Sequence, residues 1–143
     1  MSIAKILLVD DEVPFVETMI KRLTKREMEV IPAHSGAEAL AKLKEQPRIE
    51  VVILDVKMPG MDGIETLTEI KKVHPLVEVI MLTGHATVES AIDGMKKGAF
   101  DYLMKPSDIE VLVSKVAEAA AKKRRHEEKI IEAQMREITT RRT

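Results

Sequence analysis

The sequence predicts an α/β fold: a doubly wound sheet of five parallel strands covered by helices on both faces. Three observations carry this. Apolar runs of about five residues alternate five times with helix-period segments of about 10–14 residues. The runs Ile6-Leu7-Leu8-Val9 and Val51-Val52-Ile53-Leu54 show no period-two alternation, as strands buried on both faces require. Each run ends in turn or acidic residues and then a helix start, so every connection is a crossover, expected to be right-handed. At 143 residues the chain suits one domain with its own core.

In chain order, Lys5–Val9 is the first strand and ends in Asp10-Asp11-Glu12. Pro14 suits the first turn of a helix, and Val16, Ile20 and Leu23 form its apolar face. Glu29–Ala33 is a shorter strand, and Pro32 places it at a sheet edge. Ser35 and Glu38 have capping-box spacing before a helix with Ala39, Leu40 and Leu43 inward. The central strand Val51–Leu54 ends on Asp55. A turn with Pro59, Gly60 and Gly63 follows, and Asp62 to Glu65 again has capping-box spacing before Ile64, Leu67 and Ile70. Val77–Leu82 is a strand ended by Thr83-Gly84-His85. Thr87 caps a helix carrying Val88, Ala91, Ile92 and Met95, which Gly98 stops. Ala99–Met104 is the last strand and ends in Lys105-Pro106. Ser107 is the expected cap of a final helix lined by Ile109, Leu112, Val113, Val116 and Ala120.

No proline or glycine follows Pro106, so this helix is expected to run past residue 120. Glu132–Arg136 and Glu137–Arg141 are i,i+4 pairs in the favourable order. Ile131, Met135 and Ile138 make a short apolar stripe. The charged stretch between Ala121 and Lys129 argues for an extended helix frayed toward its end, not a full coiled coil. Two units are expected: a domain over 1–121 and a basic helical extension or linker over 122–143. The extension holds eight Lys/Arg against four Glu, within a net charge of −1.

Composition narrows the chemistry. Without cysteine there are no disulfides, thiolate zinc sites or Cys nucleophiles. Aromatic residues are 2%, too few for base-stacking on aromatic side chains. The four histidines lack metal-ligand spacing. No stretch approaches the roughly 20 apolar residues that cross a bilayer, and the chain reads as cytoplasmic.

The ends of parallel strands converge, and ligands bind there. Here they carry Asp10 and Asp11, Asp55, Thr83 and Lys105. Three adjacent carboxylates repel and raise one another's pKa unless a cation intervenes. Oxygen-only donors favour Mg²⁺. Mg²⁺ and a lysine neutralise phosphoryl oxygens, and a threonine hydroxyl hydrogen-bonds one of them. With Asp as nucleophile, the product is an acyl phosphate.

Asp10-Asp11, Asp55 followed by Met58-Pro59-Gly60-Met61-Asp62-Gly63, Thr83-Gly84 and Lys105-Pro106 resemble the receiver domain of two-component response regulators, over residues 4 to about 121. The resemblance implies a flavodoxin-like (β-α)5 fold with strand order 2-1-3-4-5. It implies that Asp55 is the phosphoacceptor for a sensor histidine kinase. Asp11, Asp55 and the backbone carbonyl of Lys57 would bind Mg²⁺, with Asp10 acting through water. Thr83 would bind the phosphoryl group, Lys105 would pair with it, and Pro106 would follow a cis peptide bond. Tyr102 would turn inward as Thr83 moves. Lys57 and His85 match rim positions that influence acyl-phosphate hydrolysis, and Gly84 leaves open space beside Thr83. The family often has Phe where Ser107 stands.

On this reading the chain is a phosphorylation-controlled switch that catalyses only its own phosphorylation and dephosphorylation. Its switched face carries Ile92, Met95, Lys96, Tyr102 and Ser107, and contacts a downstream protein or output domain. The sequence fits a stand-alone receiver or the receiver part of a longer chain. The extension favours a homodimer, since its stripe needs a partner. One competing function is an Mg²⁺-dependent phosphohydrolase of the haloacid-dehalogenase pattern. That pattern wants an acid two positions after the nucleophile, where this chain has Lys57. The other is nucleic-acid binding through the basic tail, which is too short for a helix-turn-helix module.

Overall fold

Parallel pairing requires each strand to be followed by a connection that returns the chain to the same end of the sheet. The computed structural model, which describes residues 3–142, has this arrangement throughout. The elements are β1 (Ala4–Val9), α1 (Val13–Thr24), β2 (Met28–Ala33), α2 (Gly36–Glu45), β3 (Val51–Leu54), α3 (Gly63–Val73), β4 (Glu78–Thr83), α4 (Val88–Lys96), β5 (Asp101–Met104) and α5 (Ile109–Arg142). The outermost ends of the two expected units, Met1, Ser2 and Thr143, lie outside the described residues, as does the side chain of Arg142. All pairs are parallel and the order is β2-β1-β3-β4-β5, the flavodoxin-like arrangement. The edge position of β2 explains how Pro32 is tolerated in a strand.

The four apolar residues of β3 divide between two cores. On one face Ile6, Leu8, Val51, Ile53, Ile80 and Leu82 pack with α1 and α5. On the other, Leu7, Val9, Val52, Leu54, Val79 and Met81 pack with α2 and α3. Val9 pairs with Leu54 in register, so Asp10 and Asp55 leave neighbouring strands at the same level. The ladder continues one residue further: Asp10 N–H donates to the Ala33 carbonyl at 3.0 Å and Asp55 N–H to the Val9 carbonyl at 3.1 Å. The chain turns to opposite sheet faces on either side of the β1–β3 boundary, which opens a crevice there.

The caps differ in detail from the sequence pattern. Ser35 Oγ accepts from Glu38 N–H, but Glu38 Oε2 accepts from His34 N–H instead of closing a box onto Ser35. Asp62 caps α3 through Glu65 N–H. Thr87 and Ser90 form a full capping box on α4. The cap of α5 is Asp108, whose Oδ1 accepts from Glu110 and Val111 N–H, and not Ser107. A carboxylate is a stronger acceptor for two N–H groups than a hydroxyl and also favours the helix dipole. In α4, Val88, Ile92 and Met95 face solvent and only Gly94 is buried.

Helix α5 runs 34 residues, about 50 Å at 1.5 Å per residue, and crosses residue 121 without a break. Ion pairs hold its middle to the body. Lys122 lies 3.4 Å from Glu78, and Arg124 reaches both Glu50 oxygens and the Ile3 carbonyl at 2.7–2.8 Å. The helix continues to Arg142 where charge density argued for fraying. The Glu137–Arg141 pair and bonds from Thr139 and Thr140 hydroxyls to carbonyls one turn back support its last turns.

Gly63 is where α3 seats against the central strand. A Cβ there would lie 1.9 Å from the Asp55 carbonyl oxygen and 2.7 Å from Val56 Cα, whereas one at Gly84 would meet nothing within 4 Å. Gly63→Ala is expected to lower unfolding free energy by about 3 kcal/mol or more, since backbone on both sides cannot yield. Gly84→Ala is expected to stay within about 0.5 kcal/mol of wild type. Urea denaturation of both variants checks the contrast.

Candidate functional site

The crevice at the carboxyl ends of β1 and β3 gathers the acidic residues. Asp10 and Asp55 are buried and Asp11 is exposed, and one carboxylate oxygen from each lies within 4.8 Å of the others. Each buried acid is held by a local amide: Asp10 Oδ1 by Glu12 N–H at 2.9 Å, Asp55 Oδ1 by Val56 N–H at 2.8 Å. Lys105 arrives from the far side, carried by β5. Its Nζ donates to Asp10 Oδ2 at 2.6 Å and lies 3.7 Å from Asp55 Oδ2 and 3.4 Å from Glu12 Oε1. Phe15 lies under it, with its ring centre 4.0 Å from Nζ.

The electrostatics are unbalanced toward negative charge. Burial pushes the Asp10 carboxyl above its ordinary 3.8; the bonds from Lys105 and Glu12 N–H oppose this without cancelling it, and Asp55 adds to it. Burial also pulls on the Lys105 ammonium, but Asp10, Asp55 and Glu12 together outweigh it and raise its pKa. One ammonium thus faces Asp10, Asp55 and Glu12, with Asp11 beside them. This all-oxygen donor set fits a further hard divalent cation and offers no soft ligand.

Thr83 ends β4, fully buried, and its Oγ1 accepts His85 N–H at 3.0 Å, which leaves the hydroxyl proton to donate. The Lys105 N–H bonds the Thr83 carbonyl at 2.9 Å and so ties the ends of β4 and β5 together. The Lys105-Pro106 bond is cis. Lys57 and His85 line two adjoining clefts of about 490 and 480 Å³, the first shared with Asp11 and Glu12, the second with Asp62, Thr87 and Ser90. Gly84 borders open space. Tyr102 packs against the α2–α3 core, and its hydroxyl meets Ser90 Oγ at 2.6 Å. Every residue expected at the strand tips is therefore at this one end of the sheet.

The profile of the response regulator receiver domain matches residues 6–117. This chain belongs to the response regulator receiver domain family. The receiver is 39% identical over 116 residues to the transcriptional regulatory protein ZraR of Escherichia coli, covering 81% of this chain and 26% of that protein. It therefore spans about a quarter of the length of such relatives. A response regulator receiver domain protein from Clostridium thermocellum superposes with a TM-score of 0.81 at 41% identity, covering 85% of this chain and 97% of that one. NtrX from Brucella abortus in complex with ADP superposes equally well (TM-score 0.81, 32% identity), over 90% of the receiver and 29% of that chain.

The sequence reading missed Glu12, Phe15, His34 and Ser90 as neighbours of the site. Glu12 was visible as the third acid of a run, but nothing in the pattern aimed it at Lys105. His34 contacts the Asp10 carbonyl and Ser90 contacts Tyr102 through tertiary approach alone. The basic tail is less open than its composition suggests. Lys122, Lys123, Arg124 and Arg141 pair with Glu78, Glu127, Glu50 and Glu137.

Asp10 gives the receiver a pH signature. Its folded pKa is raised above the unfolded value, so its contribution to stability is fully present below 3.8 and is lost as pH rises through the folded value. In metal-free buffer, Asp10→Asn is expected to raise the melting temperature at pH 7, and the gain to shrink as pH falls toward 3.8. Thermal denaturation across that range checks it; a gain independent of pH would refute the assignment.

Proposed function

We propose that a sensor histidine kinase transfers a phosphoryl group to Asp55, and that the acyl phosphate changes the receiver's contacts with a downstream protein or output domain. The observation that carries this reading is the Lys105 ammonium 3.7 Å from Asp55 Oδ2, beside three carboxylates that converge within 4.8 Å. A carboxylate oxygen of Asp55 attacks phosphorus while the bond from phosphorus to the donor nitrogen breaks, and the donor imidazole keeps the electron pair and takes a proton. Lys105 neutralises the transferred group, and the Thr83 hydroxyl donates to one of its oxygens. Asp11, Asp55 and the Lys57 carbonyl would hold Mg²⁺, with Asp10 acting through water. The ion would supply positive charge to the phosphoryl oxygens.

Water then attacks phosphorus, the bond from phosphorus to the Asp55 oxygen breaks with its electron pair left on the carboxylate, and inorganic phosphate leaves with the water's oxygen. Lys57 and His85, at the rim of both clefts, govern the water's approach, and Gly84 leaves it room. The receiver acts only on its own aspartate; it has Lys57 where a phosphohydrolase of this chemistry would carry its second acid. When Thr83 engages the phosphoryl group, Tyr102 turns inward and leaves Ser90. The face carrying Ile92, Met95, Lys96, Tyr102 and Ser107 then takes a second arrangement. Receiver and extension divide at about residue 121. None of the described helices is long and apolar enough to cross a membrane. We place the protein in the cytoplasm, with its histidine kinase. Likeness to ZraR makes transcriptional control the first output to test, exerted through the partner and not through the tail.

Incubation with Mg²⁺ and a small phosphodonor is expected to add the mass of one phosphoryl group to wild type and none to Asp55→Asn, read by intact mass. Equal labelling of both would reject Asp55 as acceptor. With the label in place, Lys57→Ala and His85→Ala are expected to change its rate of loss; unchanged rates in both would remove them from the rim.

Ile131, Met135 and Ile138 are exposed along one stripe of α5, and a second copy of the chain is the proposed cover. Light scattering is expected to show a dimer in at least one of two states, with or without an acyl-phosphate analogue. A monomer in both states rejects the homodimer.

A further inference from the structure

Asp10 is engaged at every polar atom. Its N–H donates to the Ala33 carbonyl, its Oδ1 accepts from Glu12 N–H, its Oδ2 accepts from Lys105, and its carbonyl meets His34 Nδ1 at 3.0 Å. A carbonyl only accepts, so Nδ1 carries the proton. Asp11 is the opposite case. It is exposed, and among the described residues its carboxylate has no hydrogen-bond donor of its own. No bond of its own fixes it, so what the fold fixes is the place of its Cα, through the Asp10–Asp11 peptide. His34 holds the oxygen of that peptide.

His34 is itself secured. Its N–H donates to Glu38 Oε2 at 3.1 Å, and Glu38 N–H donates to Ser35 Oγ at the start of α2. The turn after β2 thus grips the Asp10 peptide units on both sides, by the Ala33 carbonyl and by the imidazole.

We propose that His34 is a positioning residue for the acidic site: its Nδ1–H bond to the Asp10 carbonyl fixes the Asp10–Asp11 peptide plane and so places the Asp11 Cα from which the carboxylate reaches a divalent cation. This rests on the Mg²⁺ reading above and adds a residue to it. Outer partners that orient metal ligands are worth about 10–100-fold in affinity, and one acting through a peptide belongs at the low end.

The test is calorimetric titration of the whole chain with MgCl₂, for wild type, His34→Ala and His34→Asn, beside thermal melts in metal-free buffer. His34→Ala is expected to weaken Mg²⁺ binding by about tenfold. The Asn amide can donate from near the place of Nδ1, so His34→Asn is expected to recover most of the loss. Unchanged affinity in His34→Ala, with or without a lower melting temperature, overturns the proposal, as does failure of His34→Asn to rescue. Nitrogen NMR of the metal-free wild type reads the ring directly and needs no variant. The Nδ1–H tautomer is expected, and an Nε2–H tautomer refutes it. If wild type takes up no Mg²⁺, the phosphoacceptor reading itself falls, and this inference with it.

Discussion

Mutual repulsion among three carboxylates is the constraint on which this molecule turns. Two of them, Asp10 and Asp55, are almost wholly removed from water. Isolated ionised carboxylates are rarely tolerated so deeply, because burial favours the neutral form. The fold meets the problem with backbone amides at Glu12 and Val56 and with one ammonium brought from the last strand. Those donors hold the acids in place and leave the site with more negative than positive charge.

The rest of the architecture serves that placement. Apolar residues on both faces of β1 and β3 lock the register that sets Asp10 beside Asp55. Gly63 lets α3 begin against the backbone of Asp55, with its N–H bonded to the Val56 carbonyl at 2.7 Å. Beside α3, on the same face of the sheet, the fold is looser. Helix α4 turns Val88, Ile92 and Met95 to solvent and buries only a glycine. An element with so little buried area is among the easier ones to move. The Tyr102–Ser90 bond ties that helix to β5.

Helix α5 is tied to the body of the receiver as far as Arg124 and mostly exposed beyond it. Lys122 and Arg124 pair with Glu78 and Glu50 at the amino ends of β4 and β3, at the other end of the sheet from the acidic cluster. Glu78 is buried, and Lys71 also lies 3.6 Å from it, so the helix is fastened where the sheet carries its own buried acid. Past this point the described residues show i,i+4 pairs within the helix and an exposed apolar stripe.

Much of this was legible in the residues alone. Strand and helix alternation, two-sided burial of Val51–Leu54 and the caps at Ser35, Asp62 and Thr87 are local facts, fixed by side-chain chemistry within a few positions. The acids, hydroxyl and lysine of the site were also readable, because parallel topology brings strand ends to one place whatever the details. What tertiary structure decided is which groups touch. No spacing rule ties His34 to the Asp10 carbonyl, Phe15 to Lys105 or Arg124 to Glu50, since those partners meet only when separate elements pack. The choice of Asp108 over Ser107 as cap depends on which side chain comes within reach of the Glu110 and Val111 N–H groups. The exposure of Ile92 and Met95 depends on how α4 lies on the sheet. Sequence determines which groups can bond; packing determines which of them come within reach.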